Sequence, residues 1–298
     1  MKKFIKSIFV LFFTLLMICN SIICINADSS LTDRQKAINV LLQAGWTITQ
    51  IEDLLTEEAL LAYADVESVV SFDEKYMKIT DDEVIELTER QCFEEITEIY
   101  SAKNNTNSRS LGGGDQIIDT VTTSCGYLEY YVSVYSYGNG EYMVSARFEW
   151  LIDPQNRKHD VFGLGHSYNL TQLSDFDVYY IYKYDMVNGN VNSGTYEVTE
   201  PETLHIDDGG TVIVQKLAPN SSLGNMTYSN HRGFIQYKVG VNSTSATVVS
   251  VYAEYLHQQA VFAVNPSVSY PMGASISVSS STKFKVMSPN PYLAFEVN

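Results

Sequence analysis

The residues best suited to chemistry are a row of tyrosines beside one arginine. Tyr127, Tyr131 and Tyr135 recur every four residues in a strand-like segment, and Arg147 follows on the next strand-like segment. Alternate residues of a strand share a face, so this spacing places a ring about every 13 Å along one side. Such a row is suited to stacking sugars or a partner's side chains, and these four residues are the predicted binding site. The alternative is that a second sheet or the N-terminal helices cover the row, with Tyr131 packed on Arg147.

The histidines and carboxylates form no recognisable catalytic or metal-binding motif. His159 and His166 flank a short stretch with Asp160 close by, but neither an HExxH pair nor another tight metal spacing occurs. The sequence therefore predicts no metal, no cofactor and no catalytic residue. Two acidic pairs without EF-hand spacing are interpreted as turn acids rather than calcium ligands: Asp175 with Asp177, and Asp207 with Asp208.

Two cysteines, Cys92 and Cys125, lie beyond the N-terminal leader. A disulfide between them would close a loop of about thirty residues and contribute roughly 3–4 kcal/mol in the chain-entropy model. Two free buried thiols are the alternative, and the sequence leaves both open.

The predicted site lies in a long hairpin, Gly126–Ile152, that turns at Gly138–Gly140. A two-residue loop would pair Val132 with Arg147, whereas a three-residue loop pairs side chains of like character. Because a one-residue slip moves every side chain to the other face, the second register is predicted. Its pairs are Val134 with Val144, Val132 with Ala146, Tyr130 with Phe148, Leu128 with Trp150, Ser133 with Ser145, and Tyr131 with Arg147. The valine, phenylalanine and tryptophan side chains should then point into the core.

Short alternating strands and turns continue to the end of the chain. Gly233–Val241 and Thr247–His257 are predicted to form another hairpin, and 274–286 a serine-rich last strand. About ten strands without a helical period between them indicate an antiparallel sandwich or barrel. The predicted fold class is α+β, predominantly β, with a small acidic helical unit before the large antiparallel β domain.

The helical unit is marked by its start signals. Thr47 with Gln50 forms a predicted capping box, flanked by a hydrophobic staple of Trp46 and Ile51. A second capping-box pattern at Thr80 predicts that an acidic helix begins there and ends near Tyr100.

Four segments are predicted. Residues 1–27 have a basic start and a short apolar run, which is typical of a signal peptide cut after Ala27. Residues 28–100 are the acidic helical unit, which could be a pro-segment, and 101–115 are a flexible linker rich in Asn, Ser and Gly. Residues 116–298 are the antiparallel β-sandwich domain. The mature chain is expected to be secreted and extracellular, without a transmembrane segment.

Charge excludes some partners. The formal net charge is −16 and becomes −19 without the three leader lysines, which argues against nucleic acid as a partner. The favoured function is a secreted, non-catalytic β-sandwich protein that binds a glycan, a cell-envelope component or a protein. One alternative is a secreted hydrolase with scattered residues, because carboxylate pairs meet in space and not in sequence. The other is a membrane-active or toxin-like β protein, suggested by the alternating strand 274–286.

Overall fold

The chain folds as an α+β protein that is predominantly β, as its sequence predicts. The computed structural model describes residues 31–107, 125–186, 195–218, 226–243, 245–258, 268–269, 276–278 and 284–297. Asp33–Asn298 form one compact unit. The signal-peptide prediction, residues 1–27, lies outside the described residues, as does most of the serine-rich strand 274–286.

Three short helices open the described chain, and their ends follow local hydrogen-bonding chemistry. They are α1 (Asp33–Gln43), α2 (Ile48–Leu54) and α3 (Glu57–Leu61). The predicted capping box of α2 is present, with Thr47 Oγ1 accepting from Gln50 N and Gln50 Oε1 accepting from Thr47 N. Gly45 follows α1 with φ +84°, a conformation that glycine adopts without a Cβ penalty. Because each helix is short, packing of its apolar side must supply most of its stability.

The acidic helix begins later than predicted. Thr80 Oγ1 accepts from Glu83 N, but the motif closes a turn between two strands instead of opening a helix. The helix α4 spans Glu89–Asn107, and its start is capped by reciprocal bonds between Thr88 and Gln91. An S/T-x-x-E/Q pattern satisfies the same donors in a turn and at a helix start, so the pattern at Thr80 does not by itself mark the start of a helix. α4 also extends into the first half of the predicted linker 101–115.

Fifteen strands are present among the described residues. They are β1 (Ser68–Ile79), β2 (Val84–Leu87), β3 (Gly126–Gly138), β4 (Glu141–Ile152), β5 (His159–His166), β6 (Leu170–Met186), β7 (Thr195–Thr199), β8 (Thr203–Asp207), β9 (Gly210–Lys216), β10 (Met226–Val241), β11 (Val248–Gln258), β12 (Val268–Ser269), β13 (Ser277–Val278), β14 (Phe284–Val286) and β15 (Tyr292–Glu296).

The strands form two antiparallel sheets packed face to face. The first has the order β2-β1-β3-β4-β10-β6-β7, and the second has the order β14-β11-β5-β9-β8 with β15 also paired to β11. β12 and β13 form a separate pair. β1, which belongs to the predicted helical unit, is hydrogen-bonded along its length to β3. The helical segment and the β segment therefore share one sheet.

The predicted register of the central hairpin β3–β4 is confirmed. Val134 lies opposite Val144 and Tyr131 opposite Arg147, and the four other predicted pairs also occur. The turn is a two-residue Asn139-Gly140 loop with φ +54° and +76°, as in a type I′ hairpin turn. A register shift between Ser136 and Gly138 leaves one extra residue on β3. The two-residue turn with this shift gives the same strand register as the predicted three-residue loop.

The predicted hairpin of Gly233–Val241 with Thr247–His257 is wrong. β10 pairs with β4 and β6 in the first sheet, whereas β11 pairs with β5, β14 and β15 in the second. The short connection crosses between the sheets. Both strands nevertheless point their predicted apolar side chains into the same core, because they face each other across the sandwich.

The core between the sheets depends on the even-numbered side chains of β3 and β4. Phe148 and Trp150 are 1% and 0% exposed, and both contact the ring of Tyr255 from the second sheet. Gly233 on β10 leaves the space that the Phe148 ring fills, since a Cβ there would lie 2.2 Å from Phe148 Cε1. The shape of this core thus requires a glycine on the neighbouring strand.

We predict that Phe148→Ala lowers the free energy of unfolding by about 3–5 kcal/mol, because it leaves a cavity in a fully buried site. Urea titration followed by tryptophan fluorescence measures the change. Tyr168→Ala is the matched control, since Tyr168 is 68% exposed, and it should change stability little. Equal effects of the two substitutions would contradict the placement of Phe148.

Candidate functional site

The predicted site residues on the central hairpin lie on the face of the first sheet that points away from the sandwich core. Tyr131, Tyr135 and Arg147 are each at most 1% exposed. Tyr131 and Tyr135 belong to one apolar cluster with residues of α1–α3 and the adjoining turns, and Arg147 packs on the rings of Tyr131 and Trp46. The members from the helices and turns are Leu41, Trp46, Ile51, Leu60 and Tyr63. We call Tyr131, Tyr135 and Arg147 the aromatic–arginine face, and α1–α3 the helical cover. In this structure N-terminal helices cover Tyr131 and Tyr135, as in the alternative interpretation of the sequence.

Arg147 occupies the centre of the covered face. Its guanidinium lies 3.9 Å from the Tyr131 ring centroid and 4.6 Å from that of Trp46. Nη2 donates to Glu129 at 3.0 Å and to Glu74 at 3.3 Å. Nε and Nη1 are buried without a hydrogen-bond partner among the described residues. One side of the guanidinium is therefore ion-paired, and its other donors are held only against aromatic rings.

Burial dominates the electrostatics around Arg147. Desolvation raises the pKa of Glu129, and the nearby Arg147 charge opposes this effect only in part. Because the folded-state pKa lies above the unfolded value, the ionisation of Glu129 opposes folding as the pH rises through that folded-state pKa. Gln50 Nε2 also donates to Glu129 at 3.3 Å and so connects the helical cover to this ion pair.

Tyrosine hydroxyl groups connect the helical cover to the sheet. Trp46 Nε1 donates to Tyr135 Oη at 3.1 Å, and Tyr131 Oη donates to the Ala44 carbonyl. Tyr63 Oη donates to Gln236 Oε1 at 2.7 Å. Burial raises the pKa values of Tyr131 and Tyr135, so both phenols stay neutral and act as hydrogen-bonding groups. The joint between helices and sheet is therefore both polar and apolar.

The fourth predicted residue, Tyr127, lies apart from the others under α4. Its hydroxyl donates to Glu95 at 2.7 Å, and Lys78 pairs with the same carboxylate at 2.6 Å. Burial, with the hydrogen bond to Glu95, raises the pKa of Tyr127 to about 12. The row that the sequence predicts is thus divided between two helical contacts, and binding by it stays a prediction that requires those helices to separate from the sheet.

No disulfide joins Cys92 to Cys125 in this structure. Both belong to the apolar cluster that α4 forms with the start of β3, so the fold brings the two predicted partners together without bonding them. Burial raises the pKa of the Cys92 thiol to about 12. A thiol with such a pKa is almost entirely protonated at neutral pH and is therefore a poor nucleophile.

The histidines and acids weighed as metal ligands lie apart. His166 is buried with Nδ1 at 3.2 Å from the Ser167 carbonyl, and His159 contacts Glu202. The described residues contain no group of three or more His, Cys, Asp or Glu side chains that could hold a metal ion. The carboxylate of Asp177 accepts from Tyr179 and Gln236, and Asp207 accepts from a turn amide. Of the four acids, the side chain of Asp175 lies outside the described residues.

Sequence reasoning missed a buried polar cluster inside the sandwich. Asp160 Oδ1 lies 2.6 Å from His257 Nδ1, and Asp160 Oδ2 accepts from Trp150 Nε1 at 3.2 Å and from the Tyr255 hydroxyl. His257 and Asp160 are 1% and 2% exposed. Because they are 97 residues apart, only strand pairing brings them together, and no local motif signals the pair.

His257 also lines a small cleft at one end of the sandwich. The other lining residues come from the β1–β2 turn, the start of β3 and the β4–β5 loop: Ile79, Thr80, Asp81, Gly126, Pro154, Gln155 and Asn156. The cavity volume of about 10 Å³ is close to the minimum that holds one water molecule. The cleft suits a water molecule or a single ion and is too small for an organic substrate.

Comparisons with known proteins identify no relative. No protein-family model and no curated protein matches the chain. Among solved structures, the pilus backbone RrgB of Streptococcus pneumoniae aligns at 10% identity and a TM-score of 0.26, over 53% of this chain and 41% of that one. The collagen-binding domain of a Staphylococcus aureus adhesin aligns at 8% identity and a TM-score of 0.19, over 48% and 86%. The chain therefore spans less than half of the pilus protein, and these low scores establish no shared function.

The described part of the chain contains no helix with the length and apolar character needed to cross a membrane.

We predict that Arg147→Met lowers the free energy of unfolding by about 3–5 kcal/mol, because it leaves Glu129 buried beside no cation. Glu129→Gln is the matched variant and should cost far less, since it removes the charge whose ionisation opposes folding and keeps an acceptor for Nη2. Urea titration of both variants at pH 7 measures the difference. A larger loss in Glu129→Gln would contradict this account of the pair.

A second prediction concerns the thiols. In the native protein at pH 7.5, a maleimide should modify Cys125, which is partly exposed, and leave Cys92 intact. Peptide mass spectrometry identifies the modified residue, and labelling in urea provides the control in which both react. Rapid native modification of Cys92 would contradict its burial between α4 and the sheet.

Proposed function

We propose that the protein is an extracellular, non-catalytic β-sandwich protein that binds a partner through the aromatic–arginine face when the helical cover separates from the sheet. A glycan fits this face better than the other partners considered, because tyrosine rings stack on sugars and a guanidinium donates to hydroxyl groups. The observation that carries the proposal is that Arg147 is fully buried while Nε and Nη1 have no hydrogen-bond partner among the described residues. A buried donor without a partner is costly and calls for a reason.

The joint between the helical cover and the sheet supports separation. Asp53 pairs with Arg232 at 3.3 Å, and Thr56 Oγ1 lies 3.2 Å from Tyr179 Oη. Such polar contacts can be exchanged for water when the surfaces part, in contrast to a purely apolar core. Interfaces of this mixed kind are typical of segments that move relative to each other.

A pro-segment ending at residue 100 requires more than separation of the helical cover. β1 pairs with β3 over eleven register positions and β2 pairs only with β1 among the described residues. Loss of residues 28–100 would therefore remove two strands and leave β3 as an open edge, which is prone to pairing with other chains. Movement of α1–α3 alone, with release of Tyr63 from Tyr135 and Gln236, exposes the face and keeps the sheet intact.

The alternative functions have weaker support. The cleft beside His257 has room for about one water molecule and so gives no support for a hydrolase active site there. A membrane-active function was suggested by strand 274–286, most of which lies outside the described residues.

We predict that Trp46→Ala strengthens glycan binding. This substitution removes the ring above Arg147 and the bond to Tyr135, so a larger fraction of molecules has the face open. Apparent affinity rises in proportion to the fraction in the binding-competent state. A glycan array probed with the wild-type and variant proteins measures the effect, and hydrogen exchange of α1 reports the opening.

Two further variants make the experiment decisive. Adding Tyr131→Ala to Trp46→Ala should abolish the gain, because it removes the central stacking ring. Phe93→Ala, a substitution on the exposed side of α4, should leave binding as in the wild type. If α1 exchanges faster in Trp46→Ala and the array still shows no glycan bound, the proposed function is wrong.

A further inference from the structure

We propose that the cleft beside His257 is a binding site for a divalent transition-metal ion, with His257 Nε2 as the nitrogen ligand and Asp81 as a carboxylate ligand. The proposal is independent of the aromatic–arginine face, which lies on the outer side of the first sheet. It rests on the Asp160–His257 pair and on the residues that share the cleft with His257.

The first step is the orientation of the imidazole. Asp160 Oδ1 lies 2.6 Å from Nδ1, so that nitrogen carries the proton and donates to the carboxylate. Asp160 is itself fixed, because its other oxygen accepts from Trp150 and Tyr255. Trp150 also packs against the imidazole ring, with centroids 5.4 Å apart. With Nδ1 directed at Asp160, Nε2 is the ring nitrogen left to bind a metal ion.

The second step is what surrounds Nε2. Within the described residues, the contact with Asp160 is the single hydrogen bond of the ring, and His257 lines the cleft. Asp81 lines the same cleft, as do Gln155 and Asn156. The cleft therefore has one carboxylate residue and two amide residues along its wall besides the histidine. Imidazole with oxygen ligands suits zinc and its neighbours in the first transition series.

The third step is the pattern of hydrogen bonding behind the ligand. Metal-binding histidines almost always donate their second ring N–H to a carboxylate or carbonyl, which fixes the ring and raises its basicity. Asp160, which is buried among the strands of the second sheet, is the carboxylate that accepts from the second ring nitrogen of His257. The cavity volume of about 10 Å³ leaves room for a single ion, whose remaining ligands would be water on the open side of the cleft.

The ligand count sets the expected strength. Only two residues of the strongest metal-binding types, His257 and Asp81, line the cleft, and no set of three exists in the described part of the chain. Water must therefore complete the coordination, as in open metal sites with exchangeable positions. We expect binding weaker than at a structural zinc site, and binding that is lost when either side-chain ligand is replaced.

Isothermal titration of the chain from Asp28 with ZnCl₂ tests the proposal. Wild-type protein should bind one Zn²⁺ per chain, His257→Gln should bind none at this site, and Asp81→Asn should bind at least 10-fold more weakly. Asp160→Asn keeps the shape of the side chain and should weaken binding by about 10- to 100-fold, the usual effect of losing such a supporting partner. Circular dichroism establishes that each variant is folded.

A readout independent of affinity identifies the ligating atom. In ¹H–¹⁵N spectra of the imidazoles, Zn²⁺ should shift Nε2 of His257 and leave its Nδ1 protonated. His205→Gln is the control, because His205 lies at an edge strand of the second sheet, and it should titrate like the wild type. Absence of a Zn²⁺ heat, or equal binding by His257→Gln and wild type, would overturn the proposal. A shift at His159 in place of His257 would overturn it equally.

Discussion

Both faces of the central hairpin are buried, and the rest of the structure depends on this constraint. Antiparallel sheets commonly leave one face in water. Here the even-numbered side chains of β3 and β4 fill the core between the sheets, while Tyr131, Tyr135 and Arg147 on the other face lie beneath helices. A face with that much aromatic surface, whose central Arg147 is already paired with Glu129, is poorly suited to solvent. The short helices α1–α3 are stable for the complementary reason, because isolated helices of this length do not persist in water.

The register could be predicted because both faces are patterned. A slip by one residue would place the charged Arg147 opposite Val132, so one pairing is far better than its neighbours. The partner of β10 could not be predicted in this way. The alternation of apolar and polar residues along β10 and β11 indicates that side chains such as Ile235 and Val249 point inward. The same alternation is expected whether the two strands share a sheet or face each other across the core. The short connection between β10 and β11 permits both arrangements.

The candidate sites also differ in how far the sequence predicts them. The contact between Tyr131 and Arg147 was predictable from the hairpin register, since it joins neighbours on adjacent strands. The cover above it was an open alternative, because the sequence of α1–α3 shows an apolar side without showing what that side contacts. The pair of Asp160 and His257 could not be found at all. Two alternating strands bring these residues together, and their polar character at inward positions becomes meaningful only when the strands are known to be neighbours.

The buried polar clusters around Asp160 and around Arg147 differ in how completely their hydrogen bonds are satisfied. This difference affects how costly it is to expose each cluster to water. Inside the sandwich, both oxygens of Asp160 have partners contributed by strands of both sheets, so opening that region would expose a network and a core together. At the helical joint, two donor groups of Arg147 have no partner among the described residues, and Glu129 is disfavoured in its charged form. Water or a ligand entering there would satisfy groups that the closed state leaves unsatisfied, which offsets part of the lost packing. The proposed separation of the helices would therefore expose the joint and leave the Asp160 network and the core between the sheets in place.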